Sequence, residues 1–271
     1  MENIIKHKWR DFNMLATLRA DFYRLFKTKG FWIAQGFIIT FIFISISGQS
    51  IGSIGVEDSV SSEQAQEAFS IAWTGVTSVN AMSYMMSFFF YCMLPLLVII
   101  VGHDFTKQTY KNILTVGISR TKYFFSQYIS FLMIILLQVF YVYIVSFLTG
   151  TLFYGVGEDF NLNQVKEWLF VGTVQFLMIT AVMTLSCLVI YLTKNNVLAI
   201  LIAILFPLFV TLANMFFSLD FIQFFDFQGI LTDTEFILSG SKELWQSIGT
   251  ALMTIIFLLG VTVWQFDKAE L

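Results

Sequence analysis

Six long apolar runs alternate with polar segments along this chain, at roughly 31–50, 79–101, 124–149, 168–193, 197–217 and 247–266. Each is near or above the ~20 residues that an α-helix needs to cross a hydrocarbon core. Ahead of the first run the pattern is different. Phe12, Leu15, Leu18, Phe22, Leu25 and Phe26 recur in steps of three and four, which puts them on one helical face, while Asn13, Arg19, Arg24 and Lys27 fall elsewhere. That predicts a helix within residues 1–30 lying in the membrane interface, its cations toward anionic lipid. A secretory signal is the competing reading of Phe31–Ser47, but the charged lead is too long and contains acids.

Between the second and third runs lies a basic, polar island, Gly102–Gln127. Asp104 can cap a short helix starting at Phe105, and Gly117 stands where a helix of about three turns needs a left-handed stop. Ser119 can cap the helix that carries Arg120 and Lys122 into the third run. The pattern predicts a helix over Phe105–Val116 lying across one membrane face; the competing reading is a solvated loop with ordinary caps. Two other polar segments stand out. Within 51–78, Ser62–Trp73 can form a short amphipathic helix. Within 218–246, aromatics alternate with acids (Phe221, Phe224, Phe225, Asp226, Phe227, Asp233, Glu235, Phe236, Trp245), as expected of a segment dipping into the outer interface.

Composition agrees with this frame. Of 271 residues, 57% are hydrophobic and 12% charged, with a mean hydropathy of +0.77; soluble domains average about 25% charged. The fold class is therefore all-α integral membrane, one transmembrane domain over 1–271 with six spans in 31–266. The net charge of −3 says little, because charges segregate by position. With both termini inside, 13 of the 15 Lys and Arg fall on the inner segments and only Lys166 and Lys242 outside, whereas 12 of 18 acids fall outside. The bias places both ends in the cytoplasm.

None of the charged residues needs to lie at the middle of a span, where ion-driven transporters place one. Energy for any transport must then come from elsewhere. Gln35, Asn80, Ser83, Gln138, Gln175, Ser186 and Asn214 are uncharged polar residues within or beside the runs, expected to pair between helices. Pro95 and Pro207 free the carbonyls of Tyr91 and Ala203 and are candidate hinges. Met82, Met85 and Met86, with Asn214, are candidates for a substrate path; lipid-facing packing is the other reading of the methionines. Cys92 and Cys187 sit in spans and read as lone apolar thiols. No HExxH, GxSxG or clustered Cys/His spacing occurs, and no GxxxxGK[ST] loop binds nucleotide on this chain. The basic residues form no extended tract with interleaved aromatics, so no nucleic-acid partner is expected.

The stretch Gln108-Thr109-Tyr110-Lys111-Asn112-Ile113-Leu114, followed by Gly117-Ile118-Ser119-Arg120, is similar to a stretch of the ABC-2-type permeases, membrane subunits of one class of ABC exporter, in many members from Gram-positive bacteria. Asp21–Lys29 resembles the acidic-aromatic-basic lead of that family into its first span. One departure is Gln127, where a lysine is expected. The resemblance implies a plasma-membrane permease without its own ATPase site. It would pair with a second copy or a paralogue and with separate ATP-binding subunits carrying ATP and Mg. Residues 102–127 would be the coupling loop, with Phe105, Tyr110, Ile113 and Leu114 as packing anchors and Lys107, Lys111 and Arg120 as charge partners of the ATPase. Relatives of that kind export antimicrobial peptides, drugs, sodium or polysaccharides, so the resemblance does not fix the cargo. The Met/Phe-rich second run and the lack of buried charge favour a hydrophobic or amphipathic one, such as an antimicrobial peptide or drug. The alternative is a non-transporting immunity or sensor protein that sequesters a peptide at the outer surface.

Overall fold

A computed structural model describes residues 14–50, 72–115, 119–158, 160–217 and 221–268. All regular structure among the described residues is helical, without a strand. In chain order the helices are α1 (Met14–Lys27), α2 (Lys29–Ser47), α3 (Gly75–Tyr84), α4 (Met86–Thr106), α5 (Thr109–Thr115), α6 (Arg120–Tyr154), α7 (Leu162–Thr193), α8 (Asn196–Phe217), α9 (Phe227–Thr232), α10 (Thr234–Ser239) and α11 (Lys242–Lys268). Six of them, α2, α4, α6, α7, α8 and α11, are long and apolar enough to cross a membrane. Large apolar side chains cover their outsides: Ile33, Phe209 and Phe257 are 72%, 70% and 69% exposed. Such surface is stable against lipid or another apolar chain, not against water.

α6, α7 and α11 run well beyond the apolar runs that predict them. At 35 residues α6 extends about 52 Å, because Ser119 caps its start by accepting from the Lys122 N–H, and helix-compatible residues continue past the apolar stretch. The second run is interrupted: α3 ends at Tyr84, Met85 leaves helical geometry, and α4 begins at Met86. The expected hinges are not breaks, since α4 and α8 continue through Pro95 and Pro207. Instead α4 carries a π-turn over Val98–Gly102, a wider turn that re-aims the residues beyond it.

α3 lies along α6 at a seam of small residues. A Cβ on Gly150 would meet the Ser78 side chain and the Thr74 carbonyl, so only glycine lets the two backbones approach this closely. The seam is pinned at its end, where the Gly75 N–H donates to the Gly155 carbonyl at 2.8 Å.

The segment after α8 folds back onto the bundle. Phe227, Ile230, Leu231 and Ile237 are buried against the bundle, while Phe221 and Trp245 remain exposed. Asp226 and Asp233 serve as helix caps, accepting from the Gly229 and Phe236 N–H groups at 3.0 and 2.8 Å. The helix expected over Ser62–Trp73 lies outside the described residues except at its end, where Ala72–Thr74 is not helical.

Candidate functional site

The basic end of the bundle gathers the sequence-predicted residues, in an arrangement different from the expected one. Asp104 caps nothing. It lies inside the last turns of α4, 3% exposed, and its carboxylate collects side chains from three other elements. Arg24 of α1 donates to Oδ1 at 2.5 Å and Thr109 of α5 at 3.1 Å. Tyr123 of α6 donates to Oδ2 at 3.0 Å, and the Gln127 amide donates to the same oxygen. The guanidinium of Arg24 also reaches Asp21 at 3.1 Å and the Ile100 carbonyl at 2.9 Å, inside the π-turn. Burial pushes the Asp21 carboxyl above its ordinary range, Ser130 and Arg24 pull it back, and Asp104 adds to the push. One cation thus serves two carboxylates and a carbonyl, and ties α1 to α4.

The predicted helix Phe105–Val116 is broken. α4 stops at Thr106, Gln108 takes a left-handed φ of +54°, and α5 starts at Thr109. The break has a packing reason. In a continuous helix, residues five apart point about 140° away from each other. Here Phe105 and Tyr110 both turn into the core, at 4% and 3% exposure, with ring centroids 5.0 Å apart. Tyr191 of α7 meets Phe105 edge-on at 4.7 Å and Phe266 of α11 at 5.0 Å, completing an aromatic cluster from four helices.

Phe105 and Tyr110 therefore hold the segment to its own bundle and are not surface anchors. Lys107 is exposed and Lys111 half-buried. Arg120 donates to the Phe266 carbonyl at 3.0 Å, near the C-terminal end of α11 where a cation suits the helix dipole. Ile113 and Leu114 fall on α5, but their side chains, like residues Val116–Ile118, lie outside the described residues. Asn196, at the start of α8, donates to Thr106 at 2.9 Å and packs against Gly102, where a Cβ would collide with it. Every span except α2 thus has a contact at this junction.

The candidate path residues are enclosed. Met82, Met85 and Met86 are at most 4% exposed and sit in the core rather than facing lipid, and Asn214 is half-buried on α8. Polar pairing between helices is as expected for several residues. Gln35 and Gln138 exchange amide hydrogen bonds at 2.9 and 3.2 Å. Tyr143 donates to Gln175 at 2.6 Å and shares a bond of 2.9 Å with Ser83, while the Gln175 amide donates to the carbonyls of Ser83 and Leu231. Asn80 accepts from the Trp168 indole at 2.9 Å. Ser186 instead bonds back to its own helix at Val182. Both cysteines are free. Among the described residues no group of three or more His, Cys, Asp or Glu could hold a metal ion.

A cleft at the opposite, acidic end encloses about 230 Å³ between Trp73, α3, the start of α7 and α10. Arg24, Tyr123 and Gln127 were invisible as site residues in sequence: their common partner is up to 80 residues away, and no local spacing marks it.

Six apolar helices with outward-facing apolar surface define a multi-pass helical membrane protein. Residues 36–271 match the model of a family described as protein of unknown function (DUF2705), and the chain belongs to that family. No curated protein matches it.

Proposed function

We propose that the chain is the membrane subunit of an ATP-driven exporter of the ABC-2 type, set in the plasma membrane with both termini in the cytoplasm. The observation that carries this reading is the two-sidedness of segment 103–115. Lys107 and Gln108 are open on one side, while Asp104, Phe105 and Tyr110 on the other are locked into α1, α6, α7 and α11. A push on the open side is transmitted through an ionic hub and an aromatic cluster into most of the spans. That is the mechanical requirement for a subunit without a phosphate-binding loop of its own. ATP and Mg then belong to separate ATP-binding subunits on the cytoplasmic side. The exposed apolar faces of the spans suit lipid and a second copy or paralogue, and the cargo is hydrophobic or amphipathic.

In this reading Lys107 and Lys111 meet the ATPase, and Phe105 positions them. Phe105→Ala is consequently a poor discriminator, because it opens a cavity in the aromatic cluster. The charge-reversed variant Lys107→Glu/Lys111→Glu should lose at least tenfold in co-purifying ATP-binding subunit at an unchanged melting temperature. Undiminished co-purification would overturn the proposal. The second reading, a non-transporting protein that retains a peptide at the outer surface, draws on the acidic-end cleft. ATPase stimulation on co-expression separates the two.

A further inference from the structure

The cleft at the acidic end has a composition that selects its ligand. Trp73 and Trp168 line it together with Tyr84, and the carboxylates of Glu167 and Glu235 stand at its edge. Both carboxylates are exposed, and neither has an ion-pair partner among the described residues. Lys166 and Lys242, the cations of this end, do not line it. The indole N–H of Trp168 is already committed to Asn80, so what that ring offers a ligand is π-electron density and carbon surface. Aromatic faces and unpaired carboxylates attract the same kind of group: a positive charge spread over an apolar body, which loses little hydration on entering.

The walls are held in place before any ligand arrives. The N-terminus of α3 is fixed by a reciprocal capping box between Thr74 and Thr77 and by the Gly75 and Val76 N–H groups bonding to the Gly155 and Val156 carbonyls. Trp73 is braced by Tyr154, and Trp168 by Phe147 and Phe160, with centroids 5.7 and 6.2 Å away. A site organised in advance spends less of its binding free energy on ordering. At about 230 Å³ the cleft is smaller than the roughly 300–1,000 Å³ of sites that enclose a drug-sized molecule. It fits one head group or side chain, with the rest of the ligand left outside. Behind it, Ser83 connects the cleft to Tyr143 and Gln175 in the centre of the bundle.

We infer that this cleft is a binding site for an organic cation with an apolar flank, such as a quaternary ammonium group or the cationic end of an amphiphile. The inference rests on the transport reading only for the statement that the site faces outward and receives cargo. Its test needs neither an ATPase nor transport. Full-length protein in nanodiscs is dialysed to equilibrium against benzyltrimethylammonium, with benzyl alcohol as the neutral counterpart and benzenesulfonate as the anionic one. The cation should bind at least tenfold more tightly than either. Glu167→Gln/Glu235→Gln keeps the shape, removes the charge, and should weaken the cation at least tenfold without touching benzyl alcohol. Trp168→Leu should weaken it about fivefold and Trp168→Phe much less; the phenyl variant covers the case in which the leucine variant fails to fold. Equal binding of all three probes, or cation binding indifferent to loss of both carboxylates, overturns the site. Failure of Lys107→Glu/Lys111→Glu to release an ATPase would overturn the transport reading and leave this binding result standing.

Discussion

At the basic end, Thr109 of α5 and Tyr123 and Gln127 of α6 converge on the Asp104–Arg24 pair that joins α4 to α1. Toward the acidic end, Ser83, Tyr143 and Gln175 join α3, α6 and α7 with neutral hydrogen bonds alone. The two regions do similar mechanical work with different tolerance for loss. A buried ion pair is held together as much by the cost of leaving either charge alone as by the attraction between them. A neutral network loses one bond at a time, and its members can find other partners in the same apolar surroundings. The charged hub sits where the proposed force enters and gives way all at once. The neutral network lies beside the cleft and permits small rearrangements.

Breaking the hub is the largest effect expected. Asp104→Ala leaves Arg24 half-buried opposite Asp21 alone and should cost about 3–5 kcal/mol, read as a lower unfolding midpoint in detergent. Arg24→Met should be similarly severe. The double variant Arg24→Met/Asp104→Leu should lose clearly less than the sum of the single losses, since no uncompensated charge remains. Additive losses would mean that the two side chains act independently, and the comparison between the ends would fail.

The neutral network should break more gently. Gln175→Leu removes donors to two carbonyls and the acceptor for Tyr143, yet Tyr143 keeps Ser83. A cost of about 1–2 kcal/mol follows from the net worth of such bonds, measured by the same unfolding midpoint. A loss as large as that of Asp104→Ala would erase the distinction between the two regions.

How far the sequence discloses these regions differs for physical reasons. The six spans were legible because each apolar run is long enough to cross a bilayer, and the Ser119 cap because a cap is a local pattern. Asp104 was misread for the same reason: an acid at a helix start looks like a cap, and its partner Arg24 stands 80 residues away. Phe105 and Tyr110 stood out as aromatics in a polar island, but which way they faced depended on Tyr191 and Phe266, which no local rule brings near. The interruption at Met85 falls in Asn80-Ala81-Met82-Ser83-Tyr84-Met85-Met86, which contains neither Gly nor Pro, so it is imposed by packing. That Gln35 and Gln175 would seek partners between helices was readable; which partners they would find was not. In 218–246 the caps at Asp226 and Asp233 and the burial of Phe227 were not legible, because they emerge only once the segment folds onto α7.

The smallest effect expected tests whether the acidic end needs the charge of its half-buried Asp226 at all. Asp226 caps α9 through the Gly229 N–H. Burial raises its pKa above the ordinary value of 3.8, and that hydrogen bond pulls it part of the way back. A carboxyl whose folded pKa is raised contributes most below its unfolded pKa, and that contribution is lost as pH rises through the folded value. At neutral pH the group is therefore a cap working against its own desolvation. Asn caps about as well as Asp and carries no charge, so Asp226→Asn should match or slightly exceed the parent at pH 7, by up to about 0.5 kcal/mol. As the pH falls toward about 4, the parent should catch up. Unfolding midpoints of both proteins at pH 4 and pH 7 measure this directly. A parent that is the more stable at pH 7 would mean that the acidic end, like the basic one, is organised around a charge it cannot lose.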